Sequence, residues 1–338
     1  MMAPEERLNL IGHTEAEATL ARALDDGALA HGLLVSGPAG VGKATLAFRL
    51  ARAALAPDAR ADQGSLAVDA GAPAVKRLLA GAHPDLLVLR RPTDEKTGRV
   101  RQEIPVDSAR QAARFFTRTA GAGGRRVCII DKADELNVAA ANALLKTLEE
   151  PPVGAHFILL ADAPSRVLPT VRSRCRALAL RPVETDVVAA FLRAEADCGA
   201  EEAAAVAQAS GGRPGRALAL LEEGGAEAAE LAERFLDASF RGSHAAPFVA
   251  SDAVAGVKND ALWESFKTIV INRLSEAARL SARGEGGPAT FEAAPETLIE
   301  AWEKARDWLG RGDALRLDRS QILIALAADL RRAVRGRA

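Results

Sequence analysis

The chain has 338 residues, of which 49% are hydrophobic, so it is long enough for two or three domains with real cores. A net charge of -1, from 44 basic and 45 acidic residues, excludes a global positive field that would announce nucleic-acid binding, although local basic stripes stay open. The three cysteines are scattered, which favours a reducing, cytoplasmic setting. We expect neither secretion nor a membrane span, because the sequence shows no basic and apolar leader and no apolar run of ~20 residues.

The first half of the chain alternates strand-like and helix-like segments, which predicts a mostly parallel sheet with helices on both faces. Thr14 and Glu17 have capping-box spacing, which predicts a first helix capped by Thr14. The other predicted elements are strand 33–36, helix 43–55, strand 86–89, a helix from Asp107, strand 127–130, helix 138–149 and strand 156–160. An α/β P-loop core is therefore expected over residues 1–178.

A glycine-rich loop follows the first strand, with the sequence Gly37-Pro38-Ala39-Gly40-Val41-Gly42-Lys43-Ala44. In such loops backbone N–H groups and a lysine surround nucleotide phosphates, and a Ser or Thr after the lysine holds Mg²⁺. Ala44 occupies that position without a hydroxyl, and the hydroxyl of Thr45 is turned about 100° away on a helix. The candidates for a degenerate nucleotide site are Gly37, Gly40, Gly42, Lys43 and Thr45, and no metal ligand is assigned.

A second defect stands at the end of strand 127–130, in Asp131-Lys132-Ala133-Asp134. In hydrolases of this type the strand-end aspartate orders the Mg²⁺ shell, and its acidic neighbour polarises the attacking water. Asp131 is kept as a site candidate, whereas a protonated Lys132 can neither accept a proton nor hold a cation. Asp134 and Glu135 could substitute only from a shifted position. The sequence thus predicts the fold of a nucleotide hydrolase without its chemistry.

After about residue 180 the strand signals vanish, and alanine-rich amphipathic segments continue almost to the end. These segments predict a small helical lid over residues 179–225 and an all-α C-terminal domain over residues 226–338. The predicted breaks between helices are Gly211-Gly212, Gly224-Gly225, Gly242 to Pro247 and Gly284 to Pro288.

Two motifs bear a specific resemblance to the clamp-loader branch of the AAA+ family. They are residues 139–152, Ala-Ala-Ala-Asn-Ala-Leu-Leu-Lys-Thr-Leu-Glu-Glu-Pro-Pro, and Leu168-Pro169-Thr170-Val171-Arg172-Ser173-Arg174-Cys175. The segments 10–13, 31–38 and 81–85 fit as well. The resemblance is strong over residues 8 to about 220 and rests only on helical character beyond. It implies a three-domain subunit of a ring that opens a sliding clamp and places it on primed DNA, with residues 226–338 as the oligomerisation collar.

Within this branch, the defects at Ala44 and Lys132 resemble those of a rigid ring member that does not hydrolyse ATP. The resemblance implies weak ATP or ADP binding at most. It also implies no zinc site, because residues 56–80 lack the four cysteines that relatives often carry there. Ala161 stands near the Thr or Asn sensor of active relatives. The implied partners are the delta subunit and the gamma/tau ATPase subunits of the DNA polymerase III clamp loader and, through the complex, the sliding clamp and primed DNA, with no membrane.

Two arginines receive roles from the same resemblance. Arg174 matches the arginine finger that reaches into a neighbouring subunit's ATP site, and a planar guanidinium suits the charge of a γ-phosphate. Arg216 matches the sensor-2 arginine that contacts nucleotide from the lid. The simpler interpretations are an intrachain salt bridge or a solvated basic face for Arg174, and lid docking by salt bridges for Arg216.

Two rival functions remain open from the sequence. One is an active AAA+ ATPase, a clamp-loader motor subunit that uses Thr45 with Asp134 or Glu135 in unusual registers. The other is a ring-independent DNA-binding module built on the basic run 166–181.

Overall fold

The structure is a computed structural model that describes residues 3–93, 100–117, 124–196, 198–222, 225–254, 260–284, 293–314 and 317–335. The chain divides into two compact units, Met1–Val183 and Glu184–Ala338. The predicted division into three domains, with a lid boundary at 225, stays a prediction. The predicted breaks at Gly224 and at 285–288 fall outside the described residues.

The first unit contains a five-stranded sheet in the order β2-β3-β4-β1-β5, with every pairing parallel. The strands are β1 (Gly32–Ser36), β2 (Leu86–Leu89), β3 (Arg126–Ile130), β4 (Ala155–Ala161) and β5 (Arg176–Ala179). The helices are α1 (Thr14–Asp25), α2 (Lys43–Leu55), α3 (Pro73–Leu79), α4 (Val106–Phe116), α5 (Val138–Glu149) and α6 (Pro169–Arg172).

Alternate residues of the central strands build a separate core on each face of this sheet. On one face Leu33 and Val35 of β1 pack in a cluster with α1, α2 and α3. On the other face Leu34 lies in a cluster that includes Phe157 and residues of α4, α5 and α6. Because both faces are covered, the central strands carry nearly continuous apolar runs, such as residues 127–130 of β3 and 157–161 of β4. The predicted fold class, an α/β P-loop domain with a parallel sheet followed by helices, is confirmed.

Most predicted elements agree with the structure to within one residue, but two details were wrong. Strand β5 was not predicted, because Arg-Ala-Leu-Ala at the sheet edge is largely exposed and carries no buried apolar run. Thr14 is the first residue of α1 and not its cap. The cap position belongs to His13, which has a left-handed backbone (φ 59°) and makes no side-chain capping bond; its Nε2 lies 2.9 Å from the Val41 carbonyl oxygen.

In its described part, the second unit consists of helices and the short connections between them. The helices are α7 (Thr185–Glu195), α8 (Ala200–Ser210), α9 (Pro214–Glu222), α10 (Gly225–Phe240), α11 (Phe248–Val254), α12 (Asp260–Ala282), α13 (Pro295–Ala314) and α14 (Arg319–Arg335). Its core is aromatic around Phe266, which stacks on Trp263 at 5.8 Å between ring centroids and meets Phe235 edge-on at 5.7 Å. None of the helices within the described ranges combines the length and apolar character that a membrane crossing requires.

Candidate functional site

The register of the sheet brings the phosphate loop and the end of β4 together. Ser36, the last residue of β1, pairs with Ala161, the last residue of β4. The next residues, Gly37 and Asp162, therefore leave the sheet side by side, and Gly37 N donates to the Ala161 carbonyl at 3.2 Å. Because the carboxyl ends of parallel strands share one edge, the loop and Asp162 meet there.

Two glycines allow the loop to take its path. Gly37 has φ 151°, and a Cβ at this position would lie 2.5 Å from the Leu180 carbonyl oxygen. Gly42, which precedes α2, has φ 116°, a value that L side chains rarely adopt. A side chain at Gly37 would collide with the backbone of Leu180, and one at Gly42 would strain the backbone because of its positive φ.

The loop lysine is already occupied by partners of this chain. Lys43 is 8% exposed, and its Nζ donates to the Gly37 carbonyl at 2.7 Å and to the Pro38 carbonyl at 3.0 Å. Its third contact is with Asp162 Oδ1 at 2.5 Å. An ammonium group has three protons to donate, so these acceptors use all of them. The positive charge of Lys43 is therefore neutralised by a carboxylate of the same chain.

Lys132 belongs to the same set of ion pairs. Its backbone is left-handed (φ 64°), and its Nζ lies 3.5 Å from Glu135 Oε1 and 4.0 Å from Asp162 Oδ2. The other carboxylate oxygen of Glu135 lies 2.9 Å from Arg91 Nε. Asp162 thus stands between two ammonium groups, and Glu135 between a lysine and an arginine.

Asp131, at the end of β3, is paired as well. Its Oδ2 lies 3.4 Å from Arg90 Nε, and Arg90 also donates to both carboxylate oxygens of Glu5, at 3.0 and 3.1 Å. The hydrogen bonds to Glu5 raise the pKa of the Arg90 guanidinium above its ordinary value. The carboxylate predicted to order a metal shell is therefore held in an ion pair.

These residues do not fit a magnesium-bound nucleotide. Ala44 supplies no oxygen, and Thr45 is buried within α2. Asp134 is buried, and its Oδ2 accepts a hydrogen bond from Ala163 N at 3.0 Å. Across the part of the chain that the structure describes, no three His, Cys, Asp or Glu side chains are grouped as they would be around a metal ion. The loop position that would hold Mg²⁺ offers no hydroxyl, and the carboxylates of Asp131, Glu135 and Asp162 are held in ion pairs. Asp134 keeps one buried oxygen, Oδ1, without a hydrogen-bond partner.

Arg174 lies in an open cleft of about 590 Å³. Its Nη1 donates to the Thr170 carbonyl at 2.8 Å, and its Nη2 lies 2.5 Å from Glu149 Oε1. The side chain remains 34% exposed. Burial raises the pKa of the neighbouring Cys175 thiol to about 11, so this thiol is protonated near neutral pH. Arg174, Glu149 and the exposed Arg176 therefore supply charged groups to the cleft.

The structure places Arg174 and Lys43 at opposite ends of the parallel strands, Arg174 where β1 begins and Lys43 beyond the point where β1 ends. A Cβ at Gly32, the first residue of β1, would lie 3.0 Å from the Arg174 carbonyl oxygen, whereas the phosphate loop begins after Ser36. A strand of this length spans about 15 Å. Arg174 therefore does not line the phosphate loop of its own chain.

Arg216 lies on α9 in the second unit, where its charge acts on Arg213. Burial lowers the pKa of Arg213, and the charges of Arg216 and Arg279 lower it further. Arg213 Nε donates to the Ser210 carbonyl at 2.7 Å. The predicted sensor arginine is thus part of a local cluster of positive charge.

Two residues of the site were missed from the sequence. One is Asp162, which was not predicted as a site residue. It directly follows the apolar strand β4, and the carboxyl ends of parallel strands are where ligands bind. Glu149 lies inside the motif 139–152 and gives no local sign of pairing with Arg174, because the end of α5 and the residues just after α6 meet only in the tertiary structure.

Comparison with known proteins identifies the family. The model of the family described as "DNA polymerase III, delta subunit" matches residues 12–184, just over half of the chain. "DNA polymerase III subunit delta'" of Pseudomonas aeruginosa is 42% identical over 148 residues, which cover 43% of this chain and 42% of that protein. The protein of the same name from Escherichia coli is 33% identical over 192 residues, covering 57% and 54%.

A relative with a different name also matches. "DNA polymerase III subunit gamma/tau" of Mycobacterium bovis is 33% identical over 172 residues, covering 51% of this chain and 28% of that protein. The chain spans about half the length of the delta' relatives that it matches. With a family model matched over half of its length and several delta' relatives, the chain belongs to the DNA polymerase III delta subunit family, in the clamp-loader branch that its motifs indicate.

Proposed function

We propose that this chain is a non-hydrolysing ring subunit of the DNA polymerase III clamp loader, which supports the loading of a sliding clamp onto primed DNA. In this role it supplies Arg174 in trans to the ATP site of a neighbouring subunit. Its partners are the delta subunit and the gamma/tau ATPase subunits, and it meets the clamp and primed DNA through the assembled complex.

The observation that carries the proposal is the separation of Arg174 from Lys43. An arginine finger must stabilise the charge of a transferring phosphoryl group by direct contact. Arg174 lies near the start of β1, whereas its own phosphate loop follows the end of β1. In this proposal, the phosphate that Arg174 contacts therefore belongs to another subunit. The open cleft around it and its partial exposure leave room for that subunit.

The phosphate loop has a passive role in this proposal. The backbone amides and Lys43 retain the shape of a nucleotide site, while Ala44 and Lys132 remove the groups that hold Mg²⁺ and polarise water. We therefore expect weak binding of ATP or ADP and no turnover. Because nucleotide binding is expected to be weak, we assign Arg216 a role in lid docking by salt bridges and not in contacting nucleotide.

A motor subunit is the second candidate, because a gamma/tau subunit is 33% identical to this chain over 172 residues. The contacts of the carboxylates speak against it. Asp134 is buried and bound to a backbone amide, while Glu135 is paired with Lys132 and Arg91. Glu135 would have to leave its ion pairs before it could activate water, and Asp134, although its Oδ1 has no hydrogen-bond partner, is only 8% exposed.

Steady-state ATP hydrolysis separates the two candidates. We expect the purified chain with Mg²⁺, with or without primed DNA, to release phosphate no faster than its Lys43→Ala variant, because the loop lacks both the hydroxyl and the general base. The variant is a control for contaminating ATPase, since it removes the only lysine of the phosphate loop. Turnover that Lys43→Ala abolishes would contradict the passive role and favour the motor.

A further inference from the structure

We propose that Asp162 is a built-in counter-ion that holds the phosphate loop closed against nucleotide by occupying Lys43. This inference rests on the proposed function only in taking the loop to be passive. It assigns the cause of that passivity to a carboxylate outside the loop, in addition to the hydroxyl missing at Ala44.

The geometry makes Asp162 part of the loop. Residue 162 follows the last residue of β4, whose partner in β1 is the residue just before Gly37, so the backbone fixes the carboxylate beside the loop. The contact with Lys43 at 2.5 Å joins a lysine that is 8% exposed to an aspartate that is 31% exposed. The carboxylate is therefore the more exposed partner of the pair, and it takes the one proton of the ammonium group that the two loop carbonyls leave.

The charge of Asp162 acts against a polyphosphate in two ways. It neutralises the ammonium group that would attract the ligand, and it repels the phosphate oxygens directly. Like charges in close contact near a protein surface repel each other, because the solvent screens them only in part. A ligand that enters the loop has to break the ion pair and overcome this repulsion before it gains any contact with Lys43.

Removal of the Asp162 carboxylate would leave two ammonium groups, those of Lys43 and Lys132, beside the phosphate loop. Lys43 and Lys132 both lie within ion-pair distance of Asp162, and of these two ammonium groups Glu135 pairs only with that of Lys132. The ammonium of Lys132 would then supply a positive charge near the place where active relatives hold Mg²⁺. The ligand class is therefore a polyphosphate, such as ATP or pyrophosphate, that binds without a metal ion.

The test is calorimetric titration of the full-length chain with ATP and with pyrophosphate, each in Mg²⁺ and in EDTA. We expect Asp162→Asn to bind both ligands at least about tenfold more tightly than the unsubstituted chain, and as well in EDTA as in Mg²⁺. Ala44→Ser alone should produce no such gain. The matched control is Asp107→Asn, which removes the same charge from an exposed pair with Arg110.

A melting experiment covers the case in which Asp162→Asn lowers stability. Pyrophosphate should raise the melting temperature of Asp162→Asn and of Asp162→Ala, but not that of Asp107→Asn. The inference is overturned if the Asp162 variants bind no more tightly than the unsubstituted chain, if Asp107→Asn gains equally, or if the gain requires Mg²⁺. None of these results involves Arg174, so a failure here is distinct from a failure of the finger assignment.

Discussion

Replacement of Arg174 by alanine is expected to silence the ATP site that receives this side chain in the assembled clamp loader. A finger contributes about 10³-fold or more to the turnover of the site it completes. The clamp- and DNA-stimulated ATPase rate of the reconstituted complex should therefore fall by at least the fraction of the total turnover that this one site contributes. The measurement is phosphate release by complexes that contain either the Arg174→Ala chain or the unsubstituted chain.

Two variants decide between a finger and a structural salt bridge. Glu149→Ala breaks the 2.5 Å ion pair of Arg174 but leaves the guanidinium in place. A finger predicts that Glu149→Ala retains the stimulated ATPase, whereas a structural bridge predicts equal losses for both variants. Arg172→Ala removes an exposed arginine of the same segment and serves as the charge control. Unchanged ATPase in the Arg174→Ala complex would end the finger assignment.

The second large effect is expected on stability, from Asp85→Asn. Asp85 Oδ1 lies 3.1 Å from Arg126 Nε, and both side chains are less than 10% exposed. The substitution leaves a buried guanidinium without its counter-charge, which costs about 3–5 kcal/mol in such pairs. We expect this loss in the free energy of unfolding, measured by urea denaturation of the full chain and followed by circular dichroism.

A double-mutant cycle tests the cause of that loss. Arg126→Met removes the charge that Asp85→Asn would leave unpaired, so the double variant should lose much less than the sum of the single variants. Asp107→Asn, at an exposed ion pair, should leave the urea midpoint unchanged. Additive losses in the cycle would mean that Asp85 acts through some other contact. The cycle also gives a physical role to the His83-Pro84-Asp85 segment, which the family resemblance left without one.

The defects at Ala44 and Lys132 could be read from the sequence because the chemistry of a phosphate loop depends on residue types at fixed spacing. Ala44 has no oxygen in any conformation, and Lys132 carries a positive charge unless it is strongly buried. The strands and helices of the first half were predictable for a similar reason. Each is a local pattern, such as the apolar run at Val127 to Ile130, that burial of both sheet faces imposes on the sequence.

By itself, then, the sequence determined the α/β core, the incomplete loop and the candidate arginine. Only the tertiary structure decided what those side chains contact. Lys43 and Asp162 are 119 residues apart in the chain, and it is the parallel register of β1 and β4 that brings them within 2.5 Å. The register of β1 and β5 separates Arg174 from Lys43, because the two strands begin side by side and Arg174 precedes β5, whereas Lys43 follows β1. Strand register sets these distances, and it depends on pairing between distant segments that no local pattern encodes.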